Sequence, residues 1–277
     1  MKKLGWMTAA AMSLALTAPV GAAEAKYVIE CVTRAVEQAN AAGDYSGYGA
    51  ATNSFCVLGG WLATGEQLQY SFSMTKGKSY LIVGAGDGDV KDLDLSVSDG
   101  EDAVEDTEDD NTPWVHVKAE RTVQATITMK NFAGSDELDF CCFVILEEGG
   151  ADGSGKALVS AVTGLAKELA DVEGVGLDKT PGAICFMGGL FGTGGELGIT
   201  RTFTEGAYGL AGWGDKKCQD LDLALYEGKK KIAEDTEDDA QPFVECEVEG
   251  EVRGTIQLKM HAASGNSWGL CIVLTPE

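Results

Sequence analysis

Histidine is scarce in this chain: His116 and His261 are the only two among 277 residues. A catalytic nucleophile needs a base within hydrogen-bond reach, and histidine is the usual one. Two isolated histidines, in "WVHVK" and "KMHAAS", supply no partner set for a hydrolytic triad. Cys-x-x-Cys spacing is also missing, which removes the usual framework of a structural zinc site. Basic residues are few, with 21 Lys and Arg against 44 Asp and Glu and a formal charge of −23. Such a surface repels nucleic acid and anionic lipid, whose binding needs clustered Lys and Arg, and is compatible with cations and basic partners. Carboxylates are so numerous that no single pair marks a glycosidase. The chain is therefore expected not to be an enzyme.

Long apolar runs are missing too, apart from the N-terminus, "MKKLGWMTAAAMSLALTAPVGAAEAK". Two lysines, a short apolar core and then small residues are the pattern of a secretory signal peptide, expected at residues 1–23, with the mature chain beginning between Ala23 and Lys26. Loss of Lys2 and Lys3 would take the formal charge from −23 to −25. No cysteine lies near this cleavage region, and no later run approaches the roughly 20 apolar residues of a membrane helix. The expected product is exported, periplasmic or extracellular, with no integral membrane segment. Its 44% hydrophobic content argues for packed cores despite the acidity.

What is present in abundance is repetition. "FCVLGGWLATGEQL" (55–68) matches "ICFMGGLFGTGGEL" (184–197), "DLDLSV" (92–97) matches "DLDLAL" (220–225), and "EDTEDD" occurs at 105–110 and again at 234–239, all at an offset of 128 or 129 residues. One register over nearly the whole chain reads as a tandem duplication. The units are expected at 26–147 and 157–277, joined at 148–156 within "EEGGADGSGK", whose Gly, Ser and Asp content marks a flexible linker.

Each unit opens with an amphipathic stretch. Val28, Cys31, Val32, Ala35 and Ala39, and later Leu158, Ala161, Val162, Leu165 and Leu169, fall at helical spacing. The period then changes to two in short runs such as "LQYSFSM", "SYLIVGAG", "DLDLSVSD" and "TVQATITM", bounded by Gly, Asp and Asn. Short strands with regular turns predict a mainly β fold: two tandem jelly-roll-like antiparallel sandwiches, each preceded by a helix. Leu93, Leu95 and Val97 would face a core, with Asp92, Asp94 and Ser96 on the other side.

Eight cysteines in an exported chain suggest disulfides. Cys56 and Cys142 align with Cys185 and Cys271, so Cys56–Cys142 and Cys185–Cys271 are expected. Cys31–Cys141 would tie the first helix to its sheet, and Cys218–Cys246 would be specific to the second unit.

The run from Asp92 to Lys130 combines an Asp-Leu-Asp-Leu strand, an Asp-Gly turn at Asp99–Gly100, the acidic stretch 105–110 and two further strands over 114–129. It resembles the bacterial pre-peptidase C-terminal domain family; the second unit has "EGKKK" (227–231) where the first has "SDGED". The resemblance implies a small jelly roll appended to secreted enzymes, aiding localisation or substrate attachment, with calcium bound in some members. Calcium wants six to eight converging oxygens, and Asp87, Asp89, Asp92 and Asp94, with Asp215, Asp220 and Asp222 in the second unit, are the candidate ligands. No cofactor is required by any motif: the glycines of 188–198 lack the Gly-Lys-Ser/Thr of a phosphate loop and suit turns. Trp61 is the candidate binding residue among Trp61, Trp114, Trp213 and Trp268, about half of which should be core. The expected function is a non-catalytic exported binding or accessory module presenting sandwich surfaces to a protein or glycan. The alternative is a structural or stress-buffering cell-envelope protein whose acidic surface supplies solubility or cation capacity, with calcium as the candidate cation.

Overall fold

The computed structural model describes residues 20–41, 45–135, 137–169, 172 and 174–276; residues 1–19 of the expected signal peptide lie outside them. The first half comprises α1 (Val20–Ala41), β1 (Tyr48–Ala50), β2 (Phe55–Leu62), β3 (Gln67–Met74), β4 (Ser79–Gly86) and β5 (Val90–Ser98). It continues with β6 (Ala103–Asp106), β7 (Trp114–Lys118), β8 (Val123–Gly134) and β9 (Asp139–Glu148). The second half repeats the order as α2 (Lys156–Leu169), β10 (Val175–Leu177), β11 (Ile184–Phe191), β12 (Glu196–Phe203), β13 (Gly206–Gly214) and β14 (Cys218–Glu227). It closes with β15 (Lys230–Asp235), β16 (Phe243–Val248), β17 (Val252–Ala263) and β18 (Ser267–Pro276). Among the described residues the chain is mainly β, with antiparallel sheets and two helices.

Leaving aside the short β1 and β10, the eight strands of each half form a jelly roll. In the first half β2-β9-β4-β7 faces β3-β8-β5-β6, and in the second β11-β18-β13-β16 faces β12-β17-β14-β15. The burial pattern states why. In β3 and β12, alternate residues are buried against the opposite sheet while their neighbours face water. By contrast β2, β4 and β11 are buried on both faces, because the helices cover the other side. The buried stripe of α2 is Leu158, Ala161, Val162, Leu165, Ala166 and Leu169; that of α1 includes Val28, Cys31, Val32 and Ala35, as the helical spacing predicted.

The rolls do not hang from a flexible joint. β2 pairs antiparallel with β11, so the two inner sheets fuse into one ten-stranded sheet. The expected linker is instead a clasp: Ala50 N–H donates to Ala151 O at 2.6 Å, Ala151 N–H to Ala50 O at 2.9 Å, and Gly149 N–H to Gly47 O at 2.8 Å. Glycine is required here because a Cβ on Gly150 would stand 2.2 Å from Gly49 O, and one on Gly49 2.4 Å from Ala151 O. Asp152 then caps α2 through Leu158 N–H at 3.1 Å and accepts Trp268 Nε1–H at 3.1 Å. Gly and Ser composition suggested mobility; close backbone approach is the reason for it. A second tie is ionic. Glu24 of α1 accepts Leu177 N–H at 2.7 Å and pairs with Lys179, while the adjacent Asp178 pairs with buried Arg201.

No disulfide joins the eight cysteines in this structure, and the register separates the expected pairs. Gly86 pairs with Cys141 whereas Gly214 pairs with Gly269, so β18 corresponds to β9 at an offset of 128 and Cys271 stands in the place of Phe143. Cys142 lies opposite Gly59, an odd number of positions from Cys56 and hence on the other face of the sheet. Cys271 lies opposite Met187, two positions from Cys185. That diagonal of about 7–8 Å exceeds the roughly 3.5–4.5 Å between bonded Cβ atoms. Cys218 abuts Gly214 while Cys246 faces Tyr208, so most of β13 lies between them, roughly 20 Å at strand rise. Cys31 faces Cys142 rather than Cys141, because Cys141 points into the roll.

Candidate functional site

The repeated acidic hexapeptide crosses from the small sheet to the edge of the large one, and its aspartates build that crossing. Asp106 Oδ1 accepts Glu108 N–H at 3.2 Å and its Oδ2 accepts Trp114 N–H at 2.9 Å. Asp110 Oδ1 accepts Thr112 N–H at 2.8 Å, and its carbonyl accepts Leu93 N–H at 2.8 Å. The second copy repeats every bond: Asp235 to Glu237 N–H at 3.0 Å and Phe243 N–H at 2.8 Å, and Asp239 to Gln241 N–H at 2.7 Å and Leu221 N–H at 2.7 Å. Side-chain-to-backbone bonds two residues ahead are the turn chemistry of aspartate. Identity between the copies therefore has a structural cause.

The expected cation ligands are dispersed by the same logic. Asp87 is buried and accepts Asp89 N–H at 3.1 Å and Phe140 N–H at 2.9 Å; burial raises its carboxyl above the ordinary value. Asp89 meets Ser135 at 3.4 Å. Asp215 accepts Lys217 N–H at 2.8 Å and the Ser267 hydroxyl at 2.5 Å. Asp92 and Asp220 sit at β-bulges. Each has an Oδ1 shielded from solvent with no hydrogen-bond donor, and burial followed by the neighbouring Asp94 or Asp222 charge raises its carboxyl. Asp94 pairs across the sheet with Lys130, and Asp222 Oδ2 lies 2.8 Å from His261 Nε2. Among the described residues no group of three or more His, Cys, Asp or Glu side chains is arranged to hold a metal ion.

The aromatics divide sharply. Trp61, the residue expected to bind, is only 4% exposed, wedged edge-on between Tyr27 of α1 at 5.7 Å and Phe140 at 5.4 Å. It is core because its strand position faces the helix layer. Trp268 is also buried, and Trp213 lies against Gly164 of α2. Trp114 is 37% exposed. It begins edge strand β7 on the helix-side face of the large sheet, beyond the end of α1. There Tyr45, in the turn after α1, collects three rings: Trp114 at 5.6 Å, Tyr48 at 5.3 Å and His116 at 5.0 Å. Tyr48 Oη and His116 Nε2 share a hydrogen bond of 2.9 Å, which fixes the imidazole. The second roll keeps an exposed aromatic, Phe243, but has Glu245 where His116 stands. At this end of the molecule the exposed Trp114 indole and the half-buried Tyr45 and His116 rings thus lie over the buried Tyr48. The signal in the sequence, Tyr45 and Tyr48 far from "WVHVK", becomes visible only once β1 and β7 lie on one face.

A cleft between the ends of α1 and α2 is lined by Val36, Asn40, Leu146, Asp152 and Trp268, and Trp268 Nε1–H donates to Asp152 there.

No protein-family model matches the chain, and no curated protein matches it. Among solved structures, a periplasmic inhibitor of g-type lysozyme from Aeromonas hydrophila covers 35% of this chain and 88% of its own, at 12% identity and a TM-score of 0.27. The M60 catalytic domain with two CBM51 domains of Clostridium perfringens ZmpB covers 75% and 33%, at 7% identity and 0.25. Tomato (Solanum lycopersicum) vicilin covers 77% and 76%, at 7% identity and 0.22. Scores this low carry no functional argument.

Proposed function

We propose that the chain is a non-catalytic exported binding module that holds a neutral glycan on the Trp114–Tyr45–His116 patch. The observation that carries this reading is the exposed Trp114 indole set beside the half-buried Tyr45 and His116 rings, with the Trp114 backbone held by Asp106 and His116 by the buried Tyr48. A sugar ring offers a face of C–H groups, weakly positive, to the negative face of an indole or phenol, and hydroxyls to the polar tips around it. The formal charge of −23 favours an uncharged ligand over an anionic one. A surface platform suits a chain that binds and does not transform, since its ligand needs no enclosure. The resemblance to pre-peptidase C-terminal domains implies the same kind of accessory role. A panel of neutral oligosaccharides probed with the full chain, followed by titration calorimetry of the best binder, tests it. Trp114→Ala should abolish binding, Tyr45→Ala should weaken it at least tenfold, and Phe243→Ala should leave it unchanged. Absence of any binder, or a binder indifferent to Trp114→Ala, would overturn the reading.

A further inference from the structure

Two cysteines of the first roll meet in a pairing that the sequence spacing did not bring together. Cys142 projects from the helix-side face of β9, in the same row as Phe140, whose ring meets Trp61 beneath Tyr27 of α1. Cys31 projects from α1 onto that row. Its thiol donates to Phe140 O at 3.1 Å and meets the Cys142 thiol side chain to side chain. Both are fully buried. The remaining thiols have other neighbours: Cys56 donates to Ala51 O at 3.1 Å, and Cys218 lies 3.3 Å from the Met260 sulfur. In the second roll Leu270 occupies the place of Cys142 and α2 contains no cysteine, so the arrangement is unique to the first.

We infer that Cys31 and Cys142 form a disulfide that fastens α1 to the eighth strand of its own roll. The step is exchange with a disulfide oxidant, either a protein thiol oxidase or a small-molecule disulfide. The Cys31 thiolate attacks one sulfur of the carrier and displaces its first thiolate. Cys142 then attacks Cys31 in the mixed disulfide and releases the second. Two protons and two electrons leave the chain, and the carrier's disulfide is reduced to two thiols. Burial pushes the Cys31 thiol well up from its ordinary value, so exchange belongs to the stage before α1 docks, when both thiols are open to the carrier. The bond would close a loop of about 110 residues, near the upper end of the chain-entropy effect. It would also hold Glu24 in place, because α1 is the element that reaches β10 in the other roll.

The test uses the full chain, unfolded under reducing conditions and refolded with oxidised glutathione, then alkylated and digested without reductant. A peptide joining Cys31 to Cys142 is expected, with Cys56 and Cys246 alkylated. Thermal unfolding should then fall by roughly 10 °C on reduction, from the loop-closure effect and its usual conversion to melting temperature. Cys31→Ala should remove this sensitivity to reductant, and Cys141→Ala should keep it. Should Cys31→Ala not fold, the peptide map of the parent chain decides alone. Recovery of Cys31 and Cys142 as alkylated thiols after refolding, or of Cys31 joined to Cys141, would overturn the inference.

Discussion

Arg201 offers the sharpest energetic test of how the second roll is held together. It occupies an inward position of β12, where its neighbours in the buried row are Ile199 and Phe203. The corresponding residue of the first roll is Phe72, also buried. Its guanidinium pairs with Asp178, donates to Ile184 O at 2.8 Å and stacks on Phe203 at 4.7 Å. Asp178 itself is 3% exposed, with Thr180 N–H at 3.1 Å and the Thr180 hydroxyl at 2.7 Å as its other donors. Arg201→Met would leave that carboxylate buried without a countercharge, a change that costs about 3–5 kcal/mol. For a chain of this size the conversion is about 2–4 °C per kcal/mol, so the melting temperature should drop by roughly 10 °C. Urea unfolding of Arg201→Met, Asp178→Asn and the double variant measures the coupling. The double variant should recover more than half of the loss, because the neutral amide no longer needs a cation. A single-variant loss below about 1 kcal/mol, or additive losses, would refute the idea that the pair acts as a buried unit.

Asp106→Ala and Asp235→Ala should each cost about 1 kcal/mol in urea unfolding, since each removes two solvent-exposed side-chain-to-backbone hydrogen bonds. Only Asp106→Ala should also weaken glycan binding in calorimetry, because it releases Trp114. The raised carboxyls of Asp92 and Asp220 bind a proton more readily folded than unfolded. Their contribution to stability therefore falls as pH rises from the ordinary carboxylate range through the raised folded value. Asp92→Asn with Asp220→Asn should stabilise the chain at neutral pH and flatten its melting-temperature profile down to about pH 4; an unchanged profile would count against it. Trp61→Ala should cost about 3–5 kcal/mol, as large aromatic truncations in cores do, while the affinity of the folded fraction for glycan stays the same.

Much of the fold was legible because it is written in local periods. Alternation at 93, 95 and 97 placed Leu93, Leu95 and Val97 inside, where they are buried, and the helical stripes were placed correctly. Recurrence of "DLDL" and "EDTEDD" gave two rolls of one plan. The cysteine scheme went astray for a reason equally local. Most motifs recur at 129, but β9 and β18 correspond at 128, and a shift of one residue in a strand exchanges its two faces. Trp61 went astray because β2 alternates between two buried faces, so alternation carries no information about exposure there.

By itself the sequence determined the class of elements, their order and the turns that end them, since side-chain period and aspartate or glycine turn chemistry act within a few residues. The tertiary structure alone decided that β2 and β11 zip the rolls into one sheet, that the glycine stretch is a backbone clasp, and that Tyr45, Tyr48, Trp114 and His116 meet at one end of the large sheet. Those outcomes depend on which strand edges meet and which layer covers a face, and both are set by long-range packing.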